Sequence, residues 1–219
     1  MKVKFRSYSP GRLLNLKWLS TQTSTAGFHG IFRRPPLIVD PVHHRSTLIL
    51  FHDRFDDPDR YRSVFTLLGQ LANSIRLVLP WAPLDPDTES PCWSPSSPNP
   101  IITSAINELI RKESNICEHV FLGGVGEGAD IALELGVKTN TSLKGIVSFS
   151  STKVPAARYN QVPVLAFHGD GNMLLPVDQA KKKFQELARV DFNTDPSIEY
   201  TFKHEMFVQM CYWIQDMSK

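Results

Sequence analysis

The stretch V-F-L-G-G-V-G-E-G-A-D-I-A-L-E-L, residues 120–135, decides how this chain can fold. Val120 to Leu122 are apolar and predict a buried strand. Gly123 to Gly128 are rich in glycine and predict a tight turn. Residues 129–135 carry apolar side chains at helical spacing and predict a helix. A strand, a glycine turn and a helix in direct succession form the unit from which parallel α/β sheets are built.

The rest of the chain repeats this alternation of short apolar runs and amphipathic segments. We place strands at residues 46–52, 75–80, 143–150, 162–169 and 197–202, and helices after residue 59, over 99–114, over 177–190 and through 207–214. Strands that alternate with helices predict a three-layer α/β fold with a mainly parallel central sheet in a single domain. The proline-rich segment 81–98 predicts a long irregular loop, and such loops line a site or are disordered.

The bulk composition is that of an ordinary globular domain. The chain has 219 residues, of which 42% are hydrophobic and 21% charged, and a net charge of +2. That charge makes no case for nucleic acid as a partner. Cys92, Cys117 and Cys211 lie far apart, without metal or disulfide spacing, which favours a reducing compartment. We therefore expect no cofactor and no metal, and no apolar run approaches the ~18 residues of a membrane span.

The first 39 residues differ from the rest in charge. They contain no acidic residue, and the first acid of the chain is Asp40. Their basic residues are Lys2, Lys4, Arg6, Arg12, Lys17, Arg33 and Arg34. A basic, hydroxyl-rich and acid-free N-terminus is typical of an organelle transit peptide, and a basic tail on a cytosolic protein is the alternative. We predict an extension over 1–39, a domain over 40–219, and a cytoplasmic or mitochondrial location.

The glycine turn fits the frame of a nucleophile elbow, G-x-S-x-G, in which a serine stands on a sharp turn between strand and helix. Here the frame runs from Gly124 to Gly128, and Gly126 holds the serine position. The same glycines are also found in dinucleotide sites. However, the turn lies in the middle of the chain, and it lacks the full G-x-G-x-x-G spacing and the acidic residue about twenty positions later.

Four further segments carry a family resemblance. They are L-I-L-F-H-D-R-F (48–55), R-L-V-L-P-W-A-P (76–83), the loop that holds Cys92 and Trp93, and V-L-A-F-H-G-D-G-N-M-L-L-P (164–176). Together with the glycine turn, and in the same order, they resemble the acyl-protein thioesterase and carboxylesterase family, also called the phospholipase/carboxylesterase family. This resemblance implies an α/β-hydrolase fold and a serine, acid and histidine triad.

The triad implied by the resemblance is not intact in this chain. The family nucleophile falls on Gly126, the family acid on Asn172, and only the base has a counterpart, His204. Glycine cannot form an acyl-enzyme, since it has no side chain. Asparagine holds a catalytic histidine in the wrong tautomer and does not offset its charge.

The resemblance also implies changes beside the oxyanion hole and the acyl pocket. The family's H-G-x-G reads H-D-R-F here, so that Asp53 and Phe55 replace two glycines around Arg54. Glu127 follows the nucleophile position, where its carboxylate would oppose an oxyanion. Cys92 and Trp93 belong to the loop near the acyl pocket.

These residues lead to a pseudoenzyme hypothesis. The chain would keep the hydrolase fold and act by binding a small acyl-type ligand or a protein partner. One alternative is a divergent esterase or thioesterase with a relocated nucleophile, for which the candidates are Ser148, Ser150, Ser151 and Cys92, with Asp170 as a substitute acid. Another is a structural accessory subunit of an organelle complex. The pairs His43-His44 and Asp56-Asp57 could suggest metal, but their spacing is that of a solvated surface.

Overall fold

The structure is a computed structural model that describes residues 32, 34–85, 87–93, 100–138, 143–156, 161–196 and 202–219. Across these residues, a seven-stranded sheet has the order β1-β3-β2-β4-β5-β6-β7. The strands are β1 (Leu37–Val39), β2 (Ser46–Phe51), β3 (Ile75–Leu79), β4 (Val120–Val125), β5 (Gly145–Phe149), β6 (Val164–Gly169) and β7 (Val190–Asp195). The helices are α1 (Pro58–Leu67), α2 (Pro100–Ser114), α3 (Glu127–Lys138), α4 (Val177–Gln185) and α5 (His204–Met217).

The sheet is parallel except at one edge. Strand β1 runs antiparallel to β3, with Leu37 opposite Leu79, and the remaining neighbours pair in parallel. The sheet and its flanking helices confirm the predicted three-layer α/β architecture. The carboxyl ends of β2 to β7 therefore meet at one edge of the sheet, where α/β proteins place their sites.

The folded part of the chain begins before the boundary predicted at Asp40. Strand β1 lies within the segment assigned to the N-terminal extension. Phe32, with 6% of its surface exposed, packs in the main core. Residues 1–31 and 33 lie outside the described part of the chain, so the transit peptide stays a prediction.

Two elements near the C-terminus differ from the sequence prediction. Strand β7 (Val190–Asp195) was not predicted, and the strand predicted at 197–202 stays a prediction because 197–201 lie outside the described residues. Helix α4 correspondingly ends at Gln185 instead of 190. Val190 and Phe192 alternate with polar residues, which is the pattern of a half-buried edge strand. The helix predicted after residue 59 ends at Leu67, before Gly69 with a φ of 52° begins a short 3-10 turn.

Apolar side chains cover both faces of the sheet. In β2, Ile49 and Phe51 face the helices α2, α3 and α4, whereas Leu48 and Leu50 face α1 and α5. Successive side chains of a strand point to opposite faces, so a strand covered on both sides is apolar throughout. This burial explains why β2 shows no alternation in the sequence.

None of the helices in the described parts of the chain combines the length and the apolarity needed to cross a bilayer.

Candidate functional site

The glycine turn is tighter than the sequence predicted. Strand β4 runs to Val125 and α3 begins at Glu127, so Gly126 alone makes the turn, with a φ of 53°. A side chain at Gly124 would overlap the backbone of Gly128, and one at Gly128 would overlap the carbonyl group of Phe51. The flanking glycines are therefore required by the close approach of helix and strands, and the predicted strand, turn and helix are confirmed.

The carboxylate of Asp53 lies directly over Gly126. A Cβ atom at position 126 would overlap the Asp53 carboxylate group. Asp53 Oδ1 accepts a hydrogen bond from the backbone N–H of Glu127 at 2.9 Å and another from the N–H of Arg54 at 2.8 Å. Two N–H groups from separate segments thus converge on one oxygen, as donors do in an oxyanion hole.

Two opposing effects act on the pKa of the Asp53 carboxyl group. Burial raises the pKa of its carboxyl group, and the nearby carboxylates of Glu127 and Asp56 raise it further. The N–H groups of Glu127 and Arg54 oppose this shift by stabilising the charged form. The N-terminal end of α3 also favours a negative charge at this place. The carboxylate is therefore held by directed hydrogen bonds against a cost of desolvation.

The Arg54 side chain joins the loop after β2 to Cys92 and Glu127. Its Nη2 atom donates to Cys92 Sγ at 2.8 Å, and its Nε atom lies 3.6 Å from Glu127 Oε1. The Cys92 thiol lies 3.3 Å from the same Glu127 oxygen. Glu127 Oε2 accepts from the backbone N–H of Trp93 at 3.0 Å. The guanidinium thus compensates part of the negative charge of Glu127.

His52 holds the same two loops together, a role that the sequence did not predict. Its Nε2 atom accepts from the N–H of Ala82 at 3.0 Å, so the proton resides on Nδ1, which donates to the Asp53 carbonyl at 2.7 Å. Burial lowers the pKa of His52, consistent with a neutral ring. The His52 carbonyl accepts from Trp93 Nε1 at 2.8 Å. The signal that could have identified His52 is its place as the first residue of the H-D-R-F segment, which carries part of the family resemblance.

Trp93 is buried and fills the space beside this cluster. Its ring packs edge-to-face on Phe51, with centroids 5.0 Å apart, and lies 5.3 Å from the His52 ring. Phe55, in contrast, is exposed and has a φ of 63°, in the left-handed region that glycine favours. This backbone geometry fits the glycine that the resemblance implies at position 55.

The structure brings together Asp53, Arg54, Cys92, Trp93, Gly126 and Glu127, but it does not join Asn172 to His204. Asn172 is buried and turns its Oδ1 atom to the N–H groups of Leu174 and Leu175, at 2.9 and 3.2 Å. His204 is exposed at the start of α5. No hydrogen bond links these two side chains among the described residues. In this arrangement Asn172 orders its own loop.

The candidates for a relocated nucleophile are inaccessible. Ser148, Ser150 and Ser151 are buried, and Ser151 Oγ donates to Asp130 at 2.8 Å. Cys92 is only 1% exposed. These observations leave no solvent-facing hydroxyl or thiol among the candidates that the sequence offered.

The remaining candidates from the sequence, Asp170, Asp56 and Asp57, lie at the surface or form structural hydrogen bonds. Asp170 is exposed, Asp57 caps α1 by accepting from the N–H of Asp59, and Asp56 accepts from the Tyr61 hydroxyl at 2.6 Å. Within the described ranges, no three histidine, cysteine or acidic side chains are grouped so that they could hold a metal ion.

Comparison with known proteins assigns the chain to a family. The family model described as Phospholipase/Carboxylesterase matches residues 99–217, which is more than half of the chain. The chain belongs to the phospholipase/carboxylesterase family. The match includes Gly126, Asn172 and His204, whereas the segments that hold Asp53 and Cys92 precede it. No curated protein matches the chain.

Solved structures support the fold assignment of this family member. Esterase PE8 has a TM-score of 0.72 and 16% identity, with 84% of this chain and 98% of that chain covered. Acyl-protein thioesterase 2 from Zea mays has a TM-score of 0.65 and 19% identity, with 84% and 99% covered. SOBER1 from Arabidopsis thaliana has a TM-score of 0.67 and 16% identity, with 80% and 100% covered. The fold is that of the α/β-hydrolases.

Proposed function

We propose that this protein is a catalytically inactive member of the phospholipase/carboxylesterase family that acts by binding. The observation that carries the proposal is the turn at Gly126, where the Asp53 carboxylate occupies the volume of a side chain. A member of this family that hydrolysed esters or thioesters would need a nucleophile at the attacking position. Removing the serine of subtilisin lowers kcat by about 10⁶-fold, which sets the scale of the loss.

A protein partner fits the site better than a small acyl ligand. Asp53 fills the space over Gly126, and Trp93 is buried against Phe51 and His52. Two cavities of about 440 and 350 Å³ in the described residues are lined by other residues, the first between β6, β7 and α5 and the second below β2. Exposed apolar side chains stand in the loops after β3, β2 and β6, and they are Leu84, Phe55, Met173 and Leu174. Such side chains at one edge of a sheet suit contact with another protein.

The alternative of a relocated nucleophile is disfavoured, because the candidates Ser148, Ser150, Ser151 and Cys92 are all buried. The role of an accessory subunit in an organelle rests on the basic composition of residues 1–39, and a mitochondrial or cytoplasmic location is proposed on that basis alone.

Fluorophosphonate labelling tests the proposal, because this probe reacts with activated serines. We expect no labelling of the purified protein and no hydrolysis of p-nitrophenyl esters above a heat-denatured sample, with an active serine esterase as the positive control. Turnover that disappears in Ser150→Ala or Cys92→Ala would contradict the proposal and identify the nucleophile.

A further inference from the structure

The Asp53 carboxylate combines two positions that are separate in a hydrolase site. Its Oδ1 atom takes hydrogen bonds from the N–H groups of Arg54 and Glu127, at 2.8 and 2.9 Å. Its carboxylate group also overlaps the place of a Cβ atom on Gly126. The Asp53 side chain therefore accepts from both N–H donors and also fills the volume that a side chain at position 126 would occupy.

We propose that Asp53 is a built-in ligand that closes a carboxylate-binding site formed by the N–H groups of Arg54 and Glu127. A small external carboxylate then binds to this donor pair once the Asp53 side chain is removed. The inference rests on the proposed function in one respect only, since a serine at position 126 would compete with the carboxylate for the same space.

Two independent features favour a carboxylate at this place. The Glu127 N–H belongs to the first turn of α3, a helix of 12 residues, whose N-terminal end attracts negative charge. The Arg54 N–H comes from the loop after β2, on a different element, and points to the same oxygen. In addition, the Arg54 guanidinium lies 3.6 Å from Glu127 and offsets the charge of that neighbouring carboxylate.

The loop after β2 is fixed independently of Asp53, which allows the donor pair to persist without it. His52 accepts from the N–H of Ala82 and donates to the Asp53 carbonyl. The Tyr61 hydroxyl donates to Asp56, and the Asp53 N–H lies 3.4 Å from the Tyr61 oxygen. None of these contacts involves the Asp53 side chain, so we expect them to survive a change to alanine.

Formate is the probe for the vacated site, because it is the smallest carboxylate. We expect Asp53→Ala to lower Tm, and formate to raise the Tm of this variant more than chloride does at equal ionic strength. Formate is also expected to shift the backbone amide signals of Arg54 and Glu127 in NMR spectra of the full chain. Asp170→Ala, which removes an exposed acid at the same edge of the sheet, is the matched control and should show neither effect.

Equal effects of formate on the wild type, Asp53→Ala and Asp170→Ala would overturn the inference, as would shifts confined to other amides. If Asp53→Ala does not fold, the same titration on Asp53→Gly applies, and unchanged Arg54 and Glu127 signals in that variant count against the site. The two proposals fail separately, because labelling by a fluorophosphonate would refute inactivity, whereas formate titrations that leave the Arg54 and Glu127 amide signals of Asp53→Ala unchanged would refute the carboxylate site.

Discussion

The carboxylate of Asp53 occupies the space that a Cβ atom on Gly126 would take, so that a side chain at position 126 excludes the observed position of Asp53. The two residues lie on different elements, the loop after β2 and the turn between β4 and α3. Their combination is self-consistent, because glycine at 126 both accepts a φ of 53° and leaves room for the carboxylate. The conformation of Asp53 therefore depends on the glycine at position 126.

The first prediction is that Gly126→Ser and Asp53→Gly are coupled in stability. Gly126→Ser alone should lower the free energy of unfolding by more than the ~1 to 3 kcal/mol of backbone strain, because the new Cβ meets Asp53. Adding Asp53→Gly should remove the overlap, with a coupling energy of about 0.5 to 3 kcal/mol. Urea unfolding of the four proteins measures this cycle.

Gly69→Ser is the matched control for that cycle. Gly69 has a φ of 52°, but a Cβ there has no heavy atom within 4 Å. Its substitution therefore reports backbone strain without overlap. Equal losses for Gly69→Ser and Gly126→Ser, together with additivity in the cycle, would show that Asp53 does not fill the space above Gly126.

The second prediction concerns the order in which activity can be restored. Gly126→Ser combined with Asn172→Asp restores the residue types of a triad, yet the new serine and the Asp53 carboxylate compete for the space beside the N–H groups of Glu127 and Arg54. Loss of one such donor costs about 10² to 10³ in rate. We expect fluorophosphonate labelling to appear first in the variant that also carries Asp53→Gly, and to remain weak.

Asn172 provides a reason for the weakness. Its Oδ1 atom accepts from the N–H groups of Leu174 and Leu175, and an aspartate there would keep these bonds instead of turning to His204. Labelling of the Gly126→Ser and Asn172→Asp double variant at the same rate as the triple variant would show that Asp53 is no obstacle.

The third prediction concerns pH and His168. Burial lowers the pKa of His168 from its ordinary value of 6.5. The Leu175 carbonyl and the charge of Asp170 oppose this shift only in part. Nε2–H donates to the Leu175 carbonyl at 2.7 Å, and Nδ1 has no hydrogen-bond partner among the described residues. The native ring is therefore neutral at a pH where the unfolded one is already protonated.

The sign of this effect follows from proton binding. Below about pH 6.5 the unfolded chain binds a proton that the native state does not, so the free energy of unfolding falls as the pH decreases toward the lowered pKa of the folded state. We expect His168→Gln to lose less stability than the wild type between pH 7 and pH 5 in urea titrations. His204→Gln, at an exposed site, should retain the wild-type slope, and a His168→Gln slope equal to the wild type would contradict this account.

The sequence predicted the central strands well because burial on both faces leaves an unbroken apolar run, as in β2 and β6. It failed at the sheet edges, where β1 has only 3 residues and β7 alternates apolar with polar side chains. The turn at Gly126 was predicted from its glycines. The contact of Asp53 with the Glu127 N–H was not, because it joins residues 74 positions apart and depends on the tertiary fold.

The last prediction concerns the N-terminal segment. Phe32 is 6% exposed in the main core, Arg34 lies over the Trp81 ring at 5.0 Å, and β1 pairs with β3. We therefore expect a chain that begins at Phe32 to keep the Tm of the full chain. A chain that begins at Asp40 should have a substantially lower Tm. Phe32→Ala in the full chain should lower Tm by about 5 to 10 °C, because a large buried side chain is removed.

The same reasoning sets a limit on processing. If import into an organelle removes the basic segment, the cleavage is expected before Phe32, since a later cut would remove a core residue and an edge strand. N-terminal sequencing of the protein from cells, together with thermal unfolding of the two truncated chains, checks both expectations. Exposed Ile38→Ala in the full chain is the mild control, since its side chain lies outside the core. A mature chain that begins at or after Asp40, with an unchanged Tm, would show that Phe32 and β1 are dispensable for the fold.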